Sequence, residues 1–158
     1  MEQILRILEE NARISIEELA VMTQKTPEEV ASLIDDAQKA HILNGYRALG
    51  DWEKADVAHV QAIIELRVSP RRDCGFDEIA STIAHFDEVD SVLLMSGGYD
   101  LSLVVKGKSF QDIALFVAKR LSPLDGVLST ATHFVLRTYK KDGVLYGEDN
   151  TDERECQL

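Results

Sequence analysis

Apolar residues recur at Ile4, Leu5, Leu8 and Ala12, with Glu2, Arg6, Glu9 and Glu10 on the opposite side, a spacing that predicts an amphipathic first helix ended by Asn11-Ala12-Arg13. Two capping boxes follow, Ser15-Ile16-Glu17-Glu18 and Thr26-Pro27-Glu28-Glu29. In each, a hydroxyl accepts from the N3 amide while the glutamate reaches back to the cap amide, so each opens a helix. The second helix, Ile16 to Met22, is short, and Thr23-Gln24-Lys25 leaves room only for a tight turn. In the third, which Pro27 opens at a position suited to a missing N–H, Val30, Leu33, Ile34 and Ala37 form the buried stripe. Glu28, Ala31, Ser32, Asp35, Gln38 and Lys39 then face outward. Short helix, tight turn and longer helix make a helix-turn-helix, in which the later helix enters the major groove. Ile42 to Leu49, folded about Asn44-Gly45, predicts a stranded wing.

The period then changes to two. Ala58, Val60, Ala62, Ile64, Leu66 and Val68 alternate with His59, Gln61, Ile63, Glu65, Arg67 and Ser69, a strand that Pro70 ends. Phe76, Ile79, Ala80, Ile83 and Phe86 give a helix, and Val89 to Ser96 a strand. Gly97-Gly98-Tyr99-Asp100 turns the chain into a strand over Leu101 to Lys106. Ser109 caps a helix with Phe110, Ile113, Ala114, Val117 and Leu121 inward, stopped by Ser122-Pro123. Val127 to Thr138 is the last strand, with Leu128, Thr130, Thr132, Phe134 and Leu136 on one face. The fold class is therefore α+β: a winged helix-turn-helix over 1–50, a linker over 51–57, a ferredoxin-like βαββαβ domain over 58–141, and an acidic tail over 142–158. Ile63, apolar on the sheet's polar side, favours covering that face with a second copy. Trp52 in the linker is expected to pack on a neighbouring element.

Charge alters this picture. The 158 residues carry a net −11, with 6 Lys+Arg against 12 Asp+Glu up to Asp56 and 11 against 16 beyond it. Proteins that hold DNA mainly through phosphates present a basic surface, so DNA binding here is expected to be weak for one copy and dependent on assembly. Arg13, Lys25, Lys39 and Arg47 are the cations placed to meet phosphates, with Thr26 and Ser32 as hydroxyls on the same helix. A three-helix unit of this kind also serves purely as a protein contact.

The apolar stretches are strand-sized, and the acidic start lacks the zones of a signal peptide, so the expected location is the cytoplasm, with no membrane partner. Cys74 and Cys156 form no CxxC pair, and His41, His59, His85 and His133 have no ligand spacing, so neither metal nor cofactor is expected. No GxSxG nucleophile motif occurs, and the chain reads as a non-enzyme.

Three segments carry a likeness: Ile4 to Ala20, Ile42-Leu43-Asn44-Gly45-Tyr46, and Ser96-Gly97-Gly98-Tyr99-Asp100-Leu101. In this order they resemble the opening helices, the phrase after the recognition helix and the glycine-rich turn of the Lrp/AsnC (feast/famine) regulators, over nearly the whole chain apart from the tail. The resemblance implies a transcriptional regulator that is a homodimer through its C-terminal domains, often assembled into larger discs. It also implies that an amino acid or related small molecule binds between dimers near the glycine turn. Gly97, Gly98, Tyr99 and Asp100 are then the effector residues, the amides meeting a carboxylate and Asp100 an ammonium, with Thr130, Thr132 and His133 adding contacts. Read without the resemblance, the same residues make a plain turn in which Asp100 satisfies backbone donors. Family members that bind DNA tightly often show arginines in the recognition helix, where this chain has Glu28, Glu29, Asp35 and Asp36. Two alternatives stay open: an amino-acid-binding oligomer that has lost DNA binding, and an enzyme, since siroheme decarboxylases resemble this family in architecture.

Overall fold

The computed structural model describes residues 1–69 and 75–146. Pro70, expected to end the first strand, and Cys74 lie outside the described residues, as does the segment from Gly147 onward with Cys156. The chain divides into two compact units, residues 1–50 and the remainder from Asp51.

The first unit is three helices, α1 (Glu2–Glu10), α2 (Ile16–Thr23) and α3 (Pro27–Lys39). Both capping boxes form: Ser15 accepts from the Glu18 amide and Thr26 from the Glu29 amide, each at 3.2 Å, and both glutamates reach back to the cap N–H. Gln24 takes a left-handed conformation (φ 55°) to make the tight turn between α2 and α3. Ile4, Leu8, Leu19, Ala20 and Val30 form the core of this unit, with Leu33 and Ile34 packed on it. α1 stops two residues before Ala12, because Asn11 turns extended and accepts from the Arg13 amide; Ala12 is exposed and leaves the apolar stripe.

The Glu18 carboxylate sits below its ordinary value of 4.5, held there by its bonds to the Ser15 amide and hydroxyl. A carboxylate depressed by folding stabilises above its unfolded pKa and loses that contribution as pH falls through the folded one. The first unit should therefore weaken below about pH 4.5, and Glu18→Gln should flatten that part of the profile in urea titrations followed by circular dichroism. An unchanged acid limb would show that this box does not matter to stability.

No strand forms over residues 40–50, so the expected wing is not paired here. A two-residue hairpin turn of this kind needs positive φ at both central positions. Gly45 has it and Asn44 does not; the Asn44 side-chain Nδ2 instead donates to the His41 carbonyl at 3.1 Å.

The second unit is a four-stranded antiparallel sheet, β1 (Val60–Val68), β2 (Val89–Leu94), β3 (Leu101–Gly107) and β4 (Val127–Phe134), in the order β2-β3-β1-β4. This is the ferredoxin-like order expected of the strand and helix succession. Helices α4 (Asp77–Ala84) and α5 (Phe110–Phe116) supply Ile83, Ile113 and Phe116 to a core built on Ala62, Ile64, Leu66, Leu101, Leu103 and Val105. Ser109 caps α5, accepting from the Asp112 amide at 3.1 Å, and α5 continues as a π-helical turn, Val117–Leu121.

Two expectations about facing need correction. On α5 it is Phe116 that is buried beside Ile113, edge-on to Phe86 at 5.6 Å, and not Phe110 or Ala114, which are both exposed. Phe110 sits in the first turn, half out of the domain, with its ring against Phe134 at 4.8 Å between centroids. Leu128 and Leu136 do not share the inward face of Thr130, Thr132 and Phe134; they are 69% and 90% exposed. Leu136 lies beyond the end of β4 at Phe134, and the cause at Leu128 is a bulge. Val68 pairs with Val127 but Arg67 with Ser129, so Leu128 is the extra residue, and the side-chain alternation restarts after it.

Downstream, Asp142 and Gly143 both take positive φ (48° and 81°) and close a hairpin between β5 (Lys140–Lys141) and β6 (Val144–Leu145), at the start of the stretch expected to be a tail. Among the described residues no helix is long and apolar enough to cross a membrane.

Candidate functional site

In the first unit, α3 presents Glu28, Ser32, Asp35 and Lys39 on one exposed stripe, at spacings of four, three and four. Thr26 is the cap of α3, so its hydroxyl already accepts from the helix amide while its O–H remains to donate outward. Lys39 is bonded to Asp35 one turn back. That bond raises the Lys39 pKa and neutralises one of the cations expected to meet phosphate. Lys25 is exposed in the turn before α3, its amide held by the Ala20 carbonyl at 3.0 Å. Arg13 and Arg47 are exposed on the segments after α1 and α3. Counting residues 1–50, five Lys+Arg (Arg6, Arg13, Lys25, Lys39, Arg47) stand against nine Asp+Glu.

In the second unit the turn between β2 and β3 is tied to the end of β1. The Asp100 amide donates to the Leu66 carbonyl at 2.8 Å, and Asp100 Oδ2 accepts from the Val68 amide at 2.9 Å. Arg67 Nε donates to the Gly98 carbonyl at 3.0 Å. Gly97 has φ 151°, outside what side chains readily adopt; Gly98 does not, and a Cβ there would meet nothing within 4 Å. Both glycines are exposed, Tyr99 and Asp100 half-buried. Arg67 is a member of this site that sequence reasoning did not select, although the strict alternation of β1 placed it at the strand's end on the face away from the helices.

The seven expected effector residues do not converge within one chain. Thr130 lies opposite Leu66 in β4, and Leu66 opposite Leu101, so β1 stands between Thr130 and the glycine turn. That separation is two strand spacings, roughly 10 Å. Thr130 and Thr132 face the helix layer. His133 pairs with Ile63 and faces the other side, where its Nε2 lies 3.5 Å from Glu65 Oε2. The outer sheet face there combines Ile63, Val104 and Leu93 with Glu65, Arg67 and His133. Among the described residues no group of three or more His, Cys, Asp or Glu is placed to hold a metal ion.

Comparison with known proteins places this architecture. The model of the Lrp/AsnC ligand binding domain matches residues 61–145, from β1 through the hairpin. The chain is 46% identical over 153 residues to the uncharacterized HTH-type transcriptional regulator YugG of Bacillus subtilis (strain 168), covering 96% of this chain and 92% of that one. It is 26% identical over 143 residues to the leucine-responsive regulatory protein of Haemophilus influenzae, covering 90% and 86%. Among solved structures, the transcriptional regulator NMB0573 of Neisseria meningitidis in complex with L-Met superposes with a TM-score of 0.68 at 25% identity, covering 87% of this chain and 88% of that one. A matched domain over more than half the chain, together with a relative this similar from end to end, means that the chain belongs to the Lrp/AsnC family of helix-turn-helix transcriptional regulators.

Proposed function

We propose that this regulator binds DNA through the α2–α3 helix-turn-helix as an oligomer and senses an amino acid at the turn Gly97–Asp100. The observation that carries the reading is end-to-end similarity to HTH-type regulators, joined to a sheet whose glycine turn is anchored on β1. Lys25, Thr26 and Ser32 would approach the groove, and Arg13, Lys39 and Arg47 the phosphates. At the turn, the exposed amides of Gly97 and Gly98 suit a carboxylate. Asp100 uses Oδ2 to hold the Val68 amide, which leaves Oδ1 for the α-ammonium. A relative captured with L-Met supports an amino-acid effector. Tyr99 flanks that position, whereas Thr130, Thr132 and His133 reach a ligand only where a second copy brings them to it. The outer sheet face, with Ile63 41% exposed, would supply the dimer contact.

A thermal-shift screen over the amino acids, with retention of the chain's own upstream DNA at low salt, tests the whole reading. Absence of both a ligand shift and salt-sensitive retention would sink it. Asp100→Asn keeps an acceptor for the Val68 amide and removes the charge, so effector affinity should drop about tenfold or more, roughly 1.4 kcal/mol, with the melting temperature of the free protein unchanged. Equal affinity would remove Asp100 from the site. A second reading, an amino-acid-binding assembly without DNA binding, is favoured by the acidic α3 stripe and the tied-up Lys39.

A further inference from the structure

The hairpin Lys140–Leu145 stands apart chemically from the rest of the chain. In a protein of net charge −11, Arg137, Lys140 and Lys141 gather three cations within five residues. The Arg137 guanidinium lies 5.1 Å from the centre of the Tyr139 ring, which keeps that stretch compact. The turn has Asp142 and Gly143 both in left-handed geometry, and the Tyr146 amide closes the ladder on the Tyr139 carbonyl at 2.9 Å. Yet the hairpin leaves its apolar side chains in water: Tyr139, Val144 and Leu145 are all more than half exposed or close to it. A two-stranded hairpin this short is not stable by itself, so one with exposed apolar side chains and cations calls for a surface to lie on.

The second unit has an unfilled cleft of the complementary character. It lies between the segment before β1 and the far end of β4, with an open volume of about 490 Å³, enough for a few side chains. Val57, Phe110 and Leu136 give it an apolar floor and rim, and Glu53 and Asp56 give it negative charge; no Lys or Arg lines it. Phe110 is held there edge-on to Phe134, with its ring half exposed. The chain's own hairpin does not fill the cleft, since its apolar residues remain exposed.

We propose that the Tyr139–Leu145 hairpin of one copy docks into the Glu53/Asp56/Phe110 cleft of another, setting Lys140 against the two carboxylates and Leu145, its cross-strand neighbour on the same face, on Phe110. Apolar residues ringed by opposite charges give both area and register, and opposite charges on one chain make the contact self-complementary between copies. This rests on the self-association proposed above, and adds a contact separate from the outer sheet face.

The test is a charge exchange in trans, with the full chain at low salt and mass measured by sedimentation. Lys140→Glu/Lys141→Glu puts an acidic hairpin before an acidic cleft, and Glu53→Lys/Asp56→Lys a basic cleft before a basic hairpin. Each variant alone should need at least tenfold more protein to reach the wild-type assembly. Mixed in equal amounts they should recover it, because each hairpin then meets an oppositely charged cleft on the other chain. Unchanged assembly in either variant, or no recovery on mixing, overturns the proposal. If the lysine variant assembles normally and only loses DNA affinity, the hairpin is a phosphate contact instead and the proposal also fails. A wild type that stays monomeric would overturn self-association itself, which separates that failure from this one.

Discussion

Leu103→Ala should destabilise the second unit by about 3 kcal/mol, whereas Leu128→Ala should leave it nearly unchanged. Leu103 is wholly buried on β3, paired with Ile64 on one side and Val92 on the other, so truncation opens a void in the middle of the core that the sheet shares with its helices. The surrounding side chains come from three strands and two helices and cannot collapse into the gap together. For a domain of this size that loss corresponds to a fall in melting temperature on the order of 10 °C or more. Leu128 is the bulge residue, 69% exposed, and removes almost no buried area when shortened. Paired calorimetric melts of the two variants at low protein concentration check the claim. Equal losses would mean that β4 is regular and that Leu128 faces inward after all, as an unbroken alternation from Leu128 to Leu136 suggests.

That contrast marks where the fold was legible in sequence. The capping boxes at Ser15 and Thr26 were, because donor, acceptor and reach all lie within four residues. So was β1, whose alternation runs unbroken from Val60 to Val68, and the strand order follows from the succession of elements. The bulge at Leu128 leaves no local mark: it is a relation between β4 and β1, and a single extra residue reverses the facing of what precedes it. The two hairpin signals teach the same lesson. Asn44-Gly45 has the favoured composition but finds no paired strands, whereas Asp142-Gly143 closes a ladder between segments only two residues long. The glycine turn was visible from its composition, while its anchorage by Arg67 and Val68 is a contact across more than thirty residues that one sequence does not display.

Asp35→Lys/Asp36→Lys should raise affinity for DNA at low salt by at least tenfold and make it markedly more salt-sensitive. Each substitution changes the charge by two, so residues 1–50 go from five cations against nine anions to seven against seven. The change also releases Lys39, which Asp35 now holds, so three ammonium groups become available on one end of α3 where none was before. Each phosphate neutralised adds about 0.9 to the slope of log affinity against log salt, so three new contacts per bound chain steepen it by roughly 3. The informative comparison is between the chain's own upstream DNA and a scrambled duplex of equal length. If α3 reads the groove, the added phosphate contacts act on a helix already in register, and the preference for upstream DNA persists as both affinities rise. If DNA binding has been lost, the lysines create only a basic patch, and both duplexes gain equally with no preference at any salt. Fluorescence anisotropy across a salt series on the two duplexes separates these outcomes, because phosphate contacts change the slope whereas contacts with base edges change the offset between the two lines.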